Sequence, residues 1–131
     1  MVLPFKIGLS PKLKIRGIIA TEDIKKNRII ERCPIILVEM VHEDFLEKTN
    51  FKHYYFTYSK KYHAVVLGYL SLVNHSFEPN CILVYDFKNK AISLKSIKNI
   101  KKGEELTYQY MSKEEARLYP ELFDFHEGLT I

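Results

Sequence analysis

The run Leu72-Val73-Asn74-His75-Ser76-Phe77-Glu78-Pro79-Asn80-Cys81 constrains the chain most. It sets polar side chains, a histidine and an X-Pro turn directly behind an apolar stretch, where a buried strand carries none of them. It reads as a loop with a function. Further on, Gly103-Glu104-Glu105-Leu106-Thr107-Tyr108-Gln109-Tyr110 reads as a turn and then a strand. Its alternation sends Leu106, Tyr108 and Tyr110 to one face and Thr107 and Gln109 to the other, so two phenol groups point the same way.

The remaining sequence describes one domain over residues 1–131. At 131 residues and 47% hydrophobic content the chain can bury a core without metal or disulfide staples. No stretch approaches the roughly 18 apolar residues of a membrane span, and residues 1–10 lack the pattern of a signal peptide. The expected location is the compartment of synthesis, cytoplasmic in a prokaryote and nuclear or cytoplasmic in a eukaryote or virus. Cys33 and Cys81 lie in apolar contexts without CxxC or Cys/His spacing, as free buried thiols do. Residues 112–131 hold two basic and five acidic side chains, a net of −3, which leaves +7 on the rest. A basic body suits contact with nucleic acid and an acidic end suits a lysine-bearing peptide, although most such charges are solvated faces.

Along the chain, strands are expected over residues 3–7, after Gly17 in the stretch 14–21, and over 29–40, 82–86 and 92–95, with a break or edge bulge at Cys33-Pro34 and a hairpin turn over residues 87–91. Asp23-Ile24-Lys25-Lys26-Asn27 and Asn99-Ile100-Lys101-Lys102-Gly103 share one pattern. Each ends in a residue that tolerates a left-handed backbone, so both read as the same turn ahead of a strand. Residues 41–48 read as a short exposed helix or loop. The stretch 51–62, dense in aromatics and lysine, fits a core or a peptide groove better than a base-stacking surface. Ser112 and Glu115 form a capping box, which predicts a short helix from Lys113 to Tyr119, stopped by Pro120.

Together the two motif stretches resemble the SET-domain protein lysine methyltransferases. Members carry an Asn-His-Ser-x-x-Pro-Asn loop and a Gly-Glu-Glu-Leu-Thr-x-x-Tyr strand that cross in a pseudoknot. The resemblance implies a mainly β fold of several small sheets with that pseudoknot and a short C-terminal helix. It implies S-adenosylmethionine as cofactor, held by Arg16, Gly17, Ile18, Asn74, His75 and Tyr110. Lys14 to Thr21 looks like the family's Gly-x-Gly motif, with Ile15 where the first glycine usually stands. Tyr110 matches the catalytic tyrosine beside the transferring methyl group. Tyr108 matches the position where phenylalanine allows higher methylation and tyrosine restricts it, which implies mono- or dimethylation. Asn80 matches a residue that braces the knot rather than touching substrate.

Phe77 stands where many members carry a zinc-binding cysteine, and no cysteine follows Cys81. Ligand and cluster are missing together, so the expectation is no metal. Residues 112–131 then serve as the lid, with Tyr119, Phe123 or Phe125 against the cofactor or channel. The implied partner is a lysine-bearing protein, with histone tails the family's commonest acceptor, no membrane and no direct nucleic acid, and a homodimer left open. Two other readings stand beside the enzyme. One is a SET-fold peptide-binding module of weak or no activity, motivated by Ile15 and Gln109. The other is a basic nucleic-acid-binding domain that has no need of Tyr110.

Overall fold

The structure is a computed structural model, and residues 2–118 are described. Three small sheets make up its β structure. Strand β1 (Phe5–Leu9) pairs antiparallel with β2 (Arg16–Ala20), joined by a turn in which Lys14 takes a left-handed φ of 61°. β3 (Ile29–Glu39) is the centre of a five-stranded antiparallel sheet with β4 (Tyr55–Thr57), β5 (Tyr62–Val66), β7 (Cys81–Asp86) and β8 (Ala91–Ser96), in the order β4-β5-β3-β8-β7. The third sheet is a two-residue parallel pair, β6 (Asn74–His75) with β9 (Thr107–Tyr108). The expected catalytic strand is thus much shorter than its alternating pattern suggested. Helix α1 (Glu43–Glu47) buries Leu46, and α2 (Lys113–Leu118) follows β9.

The expected break at Cys33-Pro34 is a handover instead. β3 runs unbroken, pairing with β8 up to Pro34 and with β5 from Ile35 onward. Proline has no N–H to give a ladder, so the point where one partner ends and the next begins is where it does least harm. The irregularity in the ladder falls earlier, between Ile29 and Glu31.

The two look-alike turns also do more than precede strands, because they clasp each other. Ile24 and Ile100 exchange both backbone hydrogen bonds at 2.7 Å. The side chain of each turn's first residue then caps the other turn: Asp23 Oδ1 accepts from the Lys102 amide at 2.8 Å and Asn99 Oδ1 from the Lys26 amide at 2.9 Å. Asn27 at φ 69° and Gly103 at φ 93° take the left-handed geometry their residue types allow. Ile24 and Ile100 both point into the core, 1% exposed, beside Ile18, Leu70, Ile92, Leu94 and Leu106.

Residues 103–108 are held by strands from opposite parts of the chain. Ala20 donates to the Glu104 carbonyl and Leu106 to the Ile18 carbonyl, each at 2.8 Å, while Ser76 donates to the Tyr108 carbonyl at 3.1 Å. Asn80 closes the crossing with two bonds, its Nδ2 to the Glu105 carbonyl at 2.8 Å and its Oδ1 from the Thr107 amide at 2.9 Å. A carboxamide suits this post because it is donor and acceptor at once. The capping box forms as expected, with the Glu115 amide donating to Ser112 Oγ at 3.0 Å. Pro120 and the proposed lid residues Tyr119, Phe123 and Phe125 lie outside the described residues.

Candidate active site

Tyr110 leaves β9 over the end of β6, and two contacts fix it there. Its backbone N–H donates to His75 Nδ1 at 2.9 Å, and its hydroxyl donates to the Val73 carbonyl just before the Asn-His-Ser loop. Main chain and phenol tip of one residue are therefore tied to the same short stretch, which leaves the ring little freedom. Its neighbours are aromatic: the Tyr108 ring centroid is 4.7 Å away and the His75 ring 5.3 Å away. Tyr108 lies nearly parallel to Phe56, at 22° and 6.2 Å.

Burial raises the pKa of both phenols, first through loss of water, then for Tyr110 through Glu105 and Tyr54 and for Tyr108 through Tyr110 and Tyr85. At neutral pH both are uncharged hydroxyls, able to donate and accept but not to act as bases. They line a groove of about 950 Å³ with Tyr54, Tyr55, Phe56 and Tyr85. Of the aromatic run at residues 51–62, Lys52 through Thr57 form part of the groove wall. A smaller apolar hollow of about 440 Å³ shares Tyr54 and Ser71 with it.

The other expected site residues gather at the same crossing, though not all with free side chains. Arg16 starts β2 and its Nη2 donates to the Tyr54 hydroxyl at 2.6 Å. Gly17 is buried against polar groups: a Cβ there would lie 2.5 Å from Glu105 Oε2 and 2.8 Å from Asn74 Nδ2. Ile18 is 1% exposed and packs in the core, so only its backbone is available to a ligand. Ile15 is buried against Tyr54, Tyr110 and Met111. Its bulk, where the resemblance has glycine, thus becomes part of the wall around the tyrosines.

Two participants escaped the sequence reading. Glu105 sits in a turn and strand motif full of exposed charge, and Ser10 precedes a proline in an ordinary turn. In the structure Ser10 is fully buried and its Oγ donates to Glu105 Oε1 at 2.5 Å. Nothing local marks either residue, since the contact joins positions 10 and 105. Phe77, at the absent cysteine position, meets the His75 ring edge-on at 4.3 Å and lies 5.9 Å from Lys113 Nζ. Among the described residues no three His, Cys, Asp or Glu side chains are grouped to hold a metal ion. Among them, too, no helix is long and apolar enough to cross a membrane.

The crossing of the Asn-His-Ser loop with the tyrosine strand is the architecture of one class of protein. The chain belongs to the SET-domain family of methyltransferases, whose family model matches residues 15–111. Among curated proteins it is 31% identical over 98 residues to a Schizosaccharomyces pombe histone-lysine N-methyltransferase specific for H3 lysine 37, covering 74% of this chain and 67% of that one. It is also 36% identical over 63 residues to the Arabidopsis thaliana protein Plastid Transcriptionally Active 14, covering 47% of this chain and only 13% of the plant protein. Among solved structures it resembles a Plasmodium falciparum protein provisionally described as a histone methyltransferase. That likeness has a TM-score of 0.65 and 28% identity over 86% of this chain and 97% of the other.

Proposed function

We propose that this chain is an S-adenosylmethionine-dependent protein-lysine methyltransferase that stops at mono- or dimethylation. The observation that carries the reading is Tyr110, a neutral phenol pinned at both ends and set at the wall of an aromatic groove. S-adenosylmethionine, when bound, supplies a methyl group made electrophilic by its sulfonium. The residues at the crossing fit it: Arg16 offers a cation, Gly17 and Ile18 offer backbone without room for a side chain at 17, and Asn74 and His75 offer polar groups in a largely dry setting.

Everything else asked of the protein is positioning. A free lysine titrates near 10.4, so its amine must shed a proton before attack, and transfer from water into an aromatic groove favours the neutral form. Tyr108 and Tyr110 then hold the amine by hydroxyl and ring contacts without adding charge. The Tyr108 ring, backed by Phe56, narrows the groove and limits how many methyl groups an acceptor nitrogen can carry. The acceptor is a basic protein. Histone tails are the first candidates, in line with the named activity of the fission-yeast relative.

The test is transfer of labelled methyl from S-adenosylmethionine to core histones and to a cell lysate, with Tyr110→Phe run beside the wild type and cofactor binding followed by calorimetry. Lysine-linked label that collapses in the variant supports the enzyme. Cofactor binding without label in either pool favours the peptide-binding module, and no cofactor binding rejects the methyltransferase reading.

A further inference from the structure

Asn74 lies at the centre of contacts that its proposed role in holding the cofactor does not explain. Its Nδ2 donates twice, to the Arg16 carbonyl at 2.9 Å and to Glu105 Oε2 at 2.8 Å. The other Glu105 oxygen accepts from Ser10 Oγ at 2.5 Å, and that hydroxyl accepts in turn from the Leu13 amide at 3.0 Å. Asn80 grips the backbone carbonyl of Glu105 itself. Side chain and main chain of Glu105 are thus both fixed, and Ser10 and Asn74 are buried at 0% and 4% exposure.

The chemistry of these partners fixes which way the Asn74 amide faces. A carbonyl and a carboxylate are acceptors only, and a carboxamide has two N–H groups to give. Both are spent here. Turning the amide over would press Oδ1 against two other acceptors, an arrangement that loses both bonds and adds repulsion. The atom left to face elsewhere is Oδ1, an acceptor. Gly17 keeps the arrangement compact, since any Cβ would displace the Glu105 carboxylate or the Asn74 amide.

We infer that Glu105, braced by Ser10, is a positioning residue that locks the Asn74 amide so that its carbonyl oxygen, not its NH2 group, meets the cofactor. The lock selects a ligand carrying a cationic donor, the α-ammonium of the methionine moiety. This rests on the reading of Asn74 as a cofactor residue. A mere staple for the fold would act on all ligands alike, whereas an orientation lock acts on the ammonium alone.

The experiment titrates the full chain calorimetrically with S-adenosylhomocysteine and with its deamino analogue, using wild type, Glu105→Gln and Ser10→Ala, each checked for folding by thermal melting. The wild type should prefer the ammonium-bearing ligand by about tenfold or more, the scale of one charge-assisted hydrogen bond. In Glu105→Gln a second carboxamide faces Asn74, the turned-over amide is then opposed by the Arg16 carbonyl alone, and the preference should fall about threefold or more, with little change for the deamino ligand. Ser10→Ala should lie between. If Glu105→Gln does not fold, Ser10→Ala decides, and an unchanged ratio there overturns the lock. Equal loss for both ligands, or no ammonium preference in the wild type, overturns it while leaving the methyltransferase reading intact. Failure of the wild type to bind either ligand removes the reading on which the lock rests.

Discussion

His75 holds Tyr110 by its backbone: Nδ1 of the imidazole accepts the Tyr110 amide at 2.9 Å across 35 residues of sequence. The histidine of the Asn-His-Ser loop thereby sets the position of the tyrosine independently of any ligand. His75→Ala should lower the rate of methyl transfer by about 10- to 100-fold, since a misplacement near 1 Å costs on that order. His75→Asn, whose Oδ1 can stand in for Nδ1 as acceptor, should recover most of the loss. Single-turnover rates for both variants provide the check, and equal defects would show that the ring and not the bond matters.

Gly17 should tolerate no side chain. The 2.5 Å and 2.8 Å approaches of Glu105 and Asn74 to a Cβ at this position mean that Gly17→Ala must displace a buried carboxylate or amide. The expected cost is about 1–3 kcal/mol of stability with weakened cofactor binding. Urea unfolding and calorimetry measure the two effects on the same sample.

Tyr108→Phe removes a buried hydroxyl from the groove while keeping the ring against Phe56. The expected outcome is a shift toward higher methylation of the same lysine, with melting temperature changed little. Mass spectrometry of the product reads it directly, and an unchanged product distribution would assign the limit to other groove residues.

Alkaline pH should weaken the fold through its two thiols. Burial pushes Cys33 and Cys81 from 9.0 up to about 12, with the Glu31 carboxylate adding to the effect at Cys33. The folded state keeps these protons where the unfolded chain releases them. Their contribution is therefore complete below pH 9 and is lost as pH rises from 9 to about 12, by at most about 1.4 kcal/mol per pH unit for each thiol. Urea midpoints between pH 8 and 11 should fall along this slope, and the double variant Cys33→Ala/Cys81→Ala should fall less steeply.

The clasp of the two turns offers a control far from the groove. Asp23→Ala and Asn99→Ala each remove one acceptor from a backbone amide of the opposite turn. Each should cost about 1 kcal/mol with methyl transfer nearly unchanged. A large loss of activity in either would mean that the clasp reaches the site.

Local sequence carried much of this structure, as particular residues show. The left-handed geometry of Asn27 and Gly103 follows from residue type, the helix at Lys113 from its capping box, and the crossing of the two motifs from the resemblance they bear. What stayed hidden is what depends on distant partners. The pairing of Ile24 with Ile100, the change of partners at Pro34 and the link from Ser10 to Glu105 are properties of chain path. A proline reads as a break until a second partner strand is known to begin there, and a serine before a proline reads as a turn until a carboxylate arrives beside it.

The mutual grip of Ile24 and Ile100 also bears on how the protein is made. As the chain emerges from the ribosome, β2 appears well before the backbone groups that complete it, which belong to residues 103–106. Until those arrive, β2 exposes an unpaired edge of the kind that invites aggregation. The segment that completes β2 is also the one that delivers Tyr108 and Tyr110. Closing the core and assembling the groove are thus one event, and a molecule that has finished folding has, by the same step, acquired its tyrosines.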